Sequence, residues 1–374
     1  MIKILFLINT LGGGGAERVL VNLVNNMDRS VYDITVETMF DDGVNRDLLN
    51  KDIKYISKKA PCPKGYAYIF RVIPENTLYR YFIGKRKYDI IVAYMHGAPV
   101  KVISGCKDST VKKFSWLHNG TPETGTFFKF WLNKKRAFKA YKKCDGIVGV
   151  SQSVADAFSN YTGIKENISV VYNTSDVNKI KALACSDNPS KADEGNIKIV
   201  SVGRISEEKG YDRLLNVCCK LKNENYNIDV TIVGSGRKEN ELKESVKKKS
   251  ASEWFKFTGY DSNPYKYVSM SDIFVCSSYD EGLSTAVTEA VILGKPVVST
   301  DVSGAKEILG ENNEYGIVTE NSEEALYEGL KKMIFDEKLR EYYAEKSKER
   351  AAFFDTSATV KQAEDLFEEV LKRR

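Results

Sequence analysis

The stretch Tyr279-Asp280-Glu281-Gly282-Leu283-Ser284-Thr285-Ala286-Val287-Thr288-Glu289-Ala290-Val291-Ile292-Leu293-Gly294-Lys295 follows a short apolar run, Ile273-Phe274-Val275-Cys276. The run reads as a buried strand, Gly282 with its small polar neighbours turns the chain, and the apolar segment beyond reads as a helix. Ser284 or Thr285 can cap that helix, and its first unsatisfied N–H groups form a ready anion site. Glu281 stands before the helix and Glu289 about one turn inside it. Eight helical residues span about 12 Å, too far for two carboxylates to share a proton. The pair therefore reads as two clamps on one long ligand whose anionic middle lies at the helix end. Two glutamates on an exposed helix face are the plainer alternative. Against it, Glu289 is embedded in Ala286, Val287, Ala290, Val291 and Ile292, where an unpaired carboxylate is costly.

Strand-turn-helix units of this kind recur along the whole chain. In the first half, Ile2–Ile8, Tyr32–Met39, Ile90–Tyr94, Val111–Leu117, Gly146–Val150 and Ile168–Tyr172 read as strands, with an apolar-periodic helix at Ala16–Asn26. In the second half, Lys198–Val202, Val230–Val233, Phe255–Thr258, Ile273–Cys276 and Pro296–Ser299 repeat the scheme. Strands alternating with helices imply parallel sheets covered on both faces, so the expected class is α/β with two doubly wound domains. At 374 residues the chain also exceeds one ordinary core. The polar, aperiodic stretch 176–196 reads as the linker, which gives domains at 1–175 and 197–355. An amphipathic terminal helix over 356–374 remains to be docked.

Composition narrows the functional classes. No run approaches the roughly 18 apolar residues of a spanning helix, and the N-terminus reads as a first buried strand rather than a signal peptide. Seven scattered cysteines without a Cys-x-x-Cys pair, and only two histidines, point to a reducing compartment and away from zinc. Residues 1–175 carry 26 Lys and Arg against 15 Asp and Glu, whereas the remainder carries 30 against 36. A basic first half suits an anionic partner: a phosphorylated ligand, a membrane surface or nucleic acid.

Glycine turns stand where such sheets bind ligands, at the carboxyl ends of the strands. Gly12-Gly13-Gly14-Gly15 follows the first strand and opens a helix. It lacks the third glycine of a dinucleotide fingerprint, although Glu37 stands about where a ribose-binding acid would. Gly203-Arg204 leads to Lys209-Gly210, and the two cations flank one turn, so both can converge on one phosphate-sized anion. Glu207 and Glu208 offer a surface-pair alternative. Val233-Gly234-Ser235-Gly236 and Thr258-Gly259-Tyr260-Asp261 end two more strands in the same manner.

With the Trp116-Leu117-His118-Asn119 turn added, the chain resembles glycosyltransferase family 4 over essentially its whole length, Glu281 to Glu289 matching the family's Glu-x7-Glu. That resemblance implies a retaining hexosyltransferase of the GT-B fold: two Rossmann-like domains with a deep cleft between them and a final helix crossing back to the first. It implies a nucleotide-diphosphate sugar donor, more often a uridine than a guanosine diphosphate, held mainly by the second domain. In that scheme Arg204 and Lys209 hold the diphosphate, Glu289 the ribose, and Glu281 with the Gly282, Leu283 and Ser284 backbone the sugar. Gly203 and Gly234 belong to the same turns, Tyr260 lies near the base, and Gly14 and Gly15 close over the phosphate. His118 joins Arg204, Lys209 and Glu281 in the catalytic set, while His96, His118 and Asn119 line the acceptor cavity. No cofactor and no metal is expected, because no Asp-x-Asp motif occurs and fixed positive charges can stabilise the leaving phosphate.

Residues 125–143 interleave aromatics with seven cations, the pattern of an interfacial helix on anionic lipid. Lys58, Lys59, Lys64, Lys85, Arg86 and Lys87 extend the basic surface. The expected setting is cytoplasmic and peripheral on the inner face of the cell membrane, next to a lipid-linked or glycan acceptor. A solvated helix with buried aromatics is the plainer reading of that stretch. Single-stranded nucleic-acid binding would leave the second half's phosphate turns unexplained. A sugar-nucleotide epimerase of the same fold, or a non-catalytic glycan- or peptide-binding partner, are the competing functions.

Overall fold

The computed structural model describes residues 1–58, 62–63, 65–120, 127–186 and 195–373. The chain forms two compact units, one of Met1–Thr174 with the segment from Thr356 onward, the other of Ser175–Asp355. Each is built on one wholly parallel sheet.

The first sheet contains β1 (Ile2–Ile8), β2 (Tyr32–Thr38), β3 (Lys54–Ser57), β4 (Ile90–Ala93), β5 (Lys112–Leu117), β6 (Gly146–Gly149) and β7 (Ile168–Val170), in the order β3-β2-β1-β4-β5-β6-β7. The second contains β8 (Ile197–Val202), β9 (Ile228–Val233), β10 (Phe255–Gly259), β11 (Ile273–Cys276), β12 (Val297–Thr300) and β13 (Ile317–Thr319), in the order β10-β9-β8-β11-β12-β13. In both, the order reverses beside the first strand, which makes a crevice at the strands' carboxyl ends. That reversal pairs β1 with β4 and β8 with β11. The edge strands β3 and β13 add to those expected from sequence; both are short and lack a long apolar run.

The central strands are buried on both faces, which explains their continuous apolar sequences. In the second unit they pack with Leu214, Leu215 and Leu221 of the Tyr211–Asn223 helix and with Leu326, Leu330 and Met333 of the Glu323–Phe335 helix. The Thr356–Lys372 helix docks on the first unit. Its Phe367 is fully buried, with ring centroids 5.0 Å from Phe114 and 6.2 Å from Phe6.

Three sequence readings change. The stretch 176–196 is not linker from its start, because Val177–Cys185 forms a helix capped by the Asp176 side chain, with Ile180 buried. Asn263 Nδ2 donates to Leu183 O at 3.0 Å and ties this helix into the second unit; residues 187–194 lie outside the described residues. Second, the aromatics of 125–143 face inward. Phe127, Phe128, Phe130, Trp131 and Tyr141 are core residues, while Lys129, Lys134, Lys135, Arg136, Lys139, Lys142 and Lys143 are exposed. The Lys134–Tyr141 helix is thus a solvated face over an aromatic core, and Gly125 and Thr126 lie outside the described residues. Third, Arg86 is not part of a free basic surface: its guanidinium pairs with the buried Glu37 at 2.7 Å. Glu37 is accordingly a core ion-pair partner and not a ribose ligand. Lys59 and Lys64 of the same basic group lie outside the described residues.

Candidate functional site

The adjacency of β8 and β11 brings the 203–210 turn against the 277–284 loop. Gly210 has φ +60°, and a Cβ there would run into the carbonyl of Ser277, so only glycine lets the two segments touch. Ser277 Oγ donates to Lys209 O at 3.0 Å, and Tyr279 N donates to Glu208 O at 2.8 Å. Arg213, on the helix that follows, is 2 % exposed. It donates to Ser277 O (2.8 Å), Ser278 O (2.6 Å) and Asn321 Oδ1 (2.7 Å), and its guanidinium lies 3.9 Å from the Tyr279 ring centroid. Thr300 Oγ1 also donates to Ser278 O, at 2.7 Å.

This scaffold presents Lys209 and Glu281 to each other. Lys209 Nζ lies 2.5 Å from Glu281 Oε1, and Ser278 Oγ donates to the same oxygen at 2.7 Å. Burial, the largest single influence, lowers the lysine's pKa, but the Glu281 charge and hydrogen bond together with Cys276 and Tyr211 outweigh it, and the net shift is upward. Lys209 is therefore a cation at neutral pH. Both side chains line one small recess, together with Ser201, Tyr211, Cys276, Ser278 and Ser284. Ser284 is the cap of the Thr285–Ile292 helix, its Oγ accepting from Val287 N, so the helix's positive end forms one wall. Arg204 stands exposed on the β8 turn, and no carboxylate among the described residues forms an ion pair with it. Gly234 packs so closely on the Gly203 carbonyl that a Cβ would overlap it. Tyr260, after Gly259 at φ +75°, is 59 % exposed.

Glu289, one turn into the helix, is half-buried, and its Oε1 accepts from the Tyr265 hydroxyl at 3.1 Å. Tyr265, itself buried on the Tyr265–Ser269 helix, fixes the position of that carboxylate.

In the first unit, the Gly12–Gly15 loop ends β1. Asn45 Nδ2 donates to Gly12 O, and Leu11 just before the loop is held by its N donating to Asp42 O (3.0 Å) and its O accepting from Asn45 N (2.9 Å). Gly14 is the buried cap residue of the Gly15–Asn26 helix, and a Cβ on it would strike the Glu17 carboxylate. A carboxylate thus lies against the helix start that the sequence offers to an anion. His118 is buried at the end of β5, its ring 5.0 Å from Tyr94, and its Nε2 has no partner among the described residues. Burial, with a contribution from His96, pushes its pKa down to about 3. His96 stacks on Phe127 at 4.0 Å, has an Nδ1 with no partner among the described residues, and is pushed down to about 4 by burial and then Lys129. Both imidazoles are neutral at pH 7, so His118 can accept or donate a hydrogen bond there but does not act as an imidazolium. Asn119 beside it is exposed.

Comparison with known families gives this geometry its setting. The model for "Glycosyltransferase Family 4" matches residues 13–179, and that for "Glycosyl transferases group 1" matches residues 186–350. The chain is a family 4-like GT-B glycosyltransferase. It is 28 % identical to the Campylobacter jejuni N-acetylgalactosamine-N,N'-diacetylbacillosaminyl-diphospho-undecaprenol 4-alpha-N-acetylgalactosaminyltransferase, over 97 % of this chain and 98 % of that one. It is 24 % identical to the Staphylococcus aureus capsular polysaccharide biosynthesis glycosyltransferase CapM, over 75 % and 73 % of the two chains. Among solved structures it shares the fold of Anabaena HepE in complex with UDP and glucose (TM-score 0.78, 20 % identity, 98 % and 100 % coverage). Sucrose-phosphate synthase from Thermosynechococcus elongatus shares it too (TM-score 0.81, 15 % identity, both chains fully covered).

The glycosyltransferase's sequence points to Lys209, Glu281 and Glu289, but not to the residues that hold them. Arg213, Ser278, Tyr265 and Thr300 carry no motif of their own, because their role lies in hydrogen bonds to residues up to 108 positions away. The one local signal is Gly210, a helix-opening glycine whose close approach to Ser277 only the fold reveals.

Proposed function

We propose that the enzyme transfers a hexose or N-acetylhexosamine from a UDP-sugar to a hydroxyl of a lipid-linked or cell-surface glycan, with retention of anomeric configuration. The observation that carries this reading is the Lys209–Glu281 pair at the capped start of the Thr285–Ile292 helix, where the second sheet reverses its strand order. Lys209, Arg204 and the helix N-terminus would take the diphosphate, Glu281 the sugar hydroxyls, and Glu289 the ribose hydroxyls. The first unit would bind the acceptor through His96, His118 and Asn119.

In the transfer itself, the acceptor oxygen forms a bond to the anomeric carbon on the face from which the bond to the diphosphate oxygen breaks. The departing phosphate takes the acceptor proton. Charge grows on that phosphate, and preorganised cations are worth most there. The UDP carried by a structural neighbour and the undecaprenyl-linked substrate in a relative's name support the donor and acceptor classes.

The test is thermal stabilisation across UDP-, GDP- and ADP-sugars, then transfer to undecaprenyl-diphosphate sugars with and without chelator, with the product's anomeric configuration read by NMR. UDP-sugar stabilisation with a retained product, insensitive to chelator, is expected. Inversion, loss of activity in chelator, or binding with neither transfer nor hydrolysis would each overturn the corresponding part.

A further inference from the structure

Among the described residues, twelve large apolar side chains are markedly exposed, and four of them cluster in sequence on two consecutive helices of the first unit. Tyr68, Ile69 and Val72 lie on the Tyr66–Val72 helix, at 72 %, 53 % and 69 % exposure, and Tyr81 lies on Glu75–Phe82. The first helix is apolar on both sides. Its inner face, Tyr66 and Phe70, enters an aromatic cluster in which Tyr66 stands 4.9 Å from Phe40 and 5.4 Å from Phe130. Its outer face presents residues 68, 69 and 72 to solvent, where a helix of a soluble domain carries polar side chains.

This outer face is held in place rather than frayed. The ammonium of the buried Lys101 donates to Phe70 O at 2.5 Å, Phe130 O at 2.9 Å and Arg71 O at 3.2 Å, capping the helix's last carbonyls and joining it to the neighbouring segment. Arg71 Nε makes a second tie, to Lys129 O at 3.2 Å. Leu132, just beyond that segment, is a fifth exposed apolar residue.

Cations rim the face. Arg71 lies 5.4 Å from the Tyr68 ring and Lys58 Nζ 4.9 Å from the Tyr81 ring, while Lys129 is exposed. Across residues 66–82 the sequence has one acid, Glu75, against Arg71 and Arg80. Tyrosines and aliphatic side chains ringed by Lys and Arg match the interfacial layer of a bilayer with anionic headgroups.

We propose that the outer face of Tyr66–Val72, with Tyr81 and Leu132, is the surface by which this enzyme docks on anionic lipid. It takes over the role that the sequence offers to the aromatics of 125–143, which are buried. The biological purpose rests on the lipid-linked acceptor proposed above, but vesicle binding is measured without donor or acceptor.

The experiment is co-sedimentation of the full chain with vesicles of equal parts phosphatidylglycerol and phosphatidylcholine, and with phosphatidylcholine alone. The wild type should bind the mixed vesicles, more weakly as salt rises. The triple variant Tyr68→Ser/Ile69→Ser/Val72→Ser should lose at least about tenfold in partitioning, with an unchanged melting temperature and unchanged stabilisation by UDP. Equal sedimentation of variant and wild type overturns the proposal, as does a wild type that ignores mixed vesicles. Loss of self-association in sedimentation velocity, without loss of vesicle binding, would instead assign the face to a second copy of the chain. Failure of UDP to stabilise either protein would count against the donor assignment and leave the docking result standing.

Discussion

Lys209 Nζ and Glu281 Oε1 stand 2.5 Å apart, and the Ser278 hydroxyl donates to the same carboxylate oxygen at 2.7 Å. The carboxylate of one proposed clamp thereby neutralises the cation of the other. A diphosphate at this helix start has to compete with Glu281 for the ammonium.

That competition separates the two residues kinetically. Lys209→Met should weaken UDP binding by about 10- to 100-fold, the loss of one charge-assisted contact. Glu281→Gln should leave UDP binding equal or tighter while slowing transfer by about 100-fold, as for loss of a transition-state contact. Isothermal titration with UDP beside kcat measurements checks both, and a parallel fall in binding for Glu281→Gln would refute the division of roles.

The pH dependence of the pair has a defined sign. The folded-state pKa of Lys209 is raised above its ordinary 10.5, so the stabilisation is complete below that value and is lost as pH rises through the folded-state pKa. UDP affinity should therefore show no Lys209 limb between pH 6 and 9. A decline across that range that Lys209→Arg abolishes would contradict the assignment.

Tyr265 should act on donor binding through Glu289. Tyr265→Phe removes a hydrogen bond worth about 0.5–1.5 kcal/mol, so KM for the UDP-sugar should rise roughly 2- to 10-fold with kcat nearly unchanged. Deoxyribose analogues of the donor should be less sensitive to the substitution than the ribose parent.

Arg213 should matter to the fold before it matters to chemistry. Arg213→Met removes the donor shared by Ser277 O, Ser278 O and Asn321 Oδ1, leaving Ser278 O with the Thr300 hydroxyl, and should destabilise the second unit by about 2–4 kcal/mol. Denaturant titration followed by Trp254 fluorescence reads this loss, and Arg213→Lys should recover only part of it.

The two histidines make the first unit acid-sensitive. Their folded pKa values of about 3 and 4 lie below the ordinary 6.5, so the unfolded chain binds more protons and stability falls as pH drops below 6.5. Each contributes at most about 1.4 kcal/mol per pH unit. Thermal scans from pH 7 to 5 should show a decline that His96→Gln/His118→Gln flattens; an unchanged slope would place the acid sensitivity elsewhere.

Local physics alone made five of the second sheet's six strands, the glycine turns and the capped helix after Gly282 legible in the sequence. Apolar runs bounded by turn residues have one low-energy reading, and Ser284 at a helix start caps it whatever lies beyond. The aromatics of 125–143 were misleading for the same local reason, since a helix with mixed aromatic and basic residues is equally suited to lipid or to a core. Only packing chose the core, leaving Tyr68, Ile69 and Val72 outside instead. Arg86, a surface cation by type, is drawn inward because the buried Glu37 would otherwise be an unpaired charge.

The sequence by itself determined the two parallel α/β sheets, the anion-ready helix ends and the identities of Lys209, Glu281 and Glu289. The tertiary structure alone decided that these residues meet. Strand order places β8 beside β11, a pairing between segments more than 70 residues apart that no local periodicity encodes. Arg213, Ser278 and Gly210 then fix the contact through hydrogen bonds and a close approach that exist only once both loops are in place.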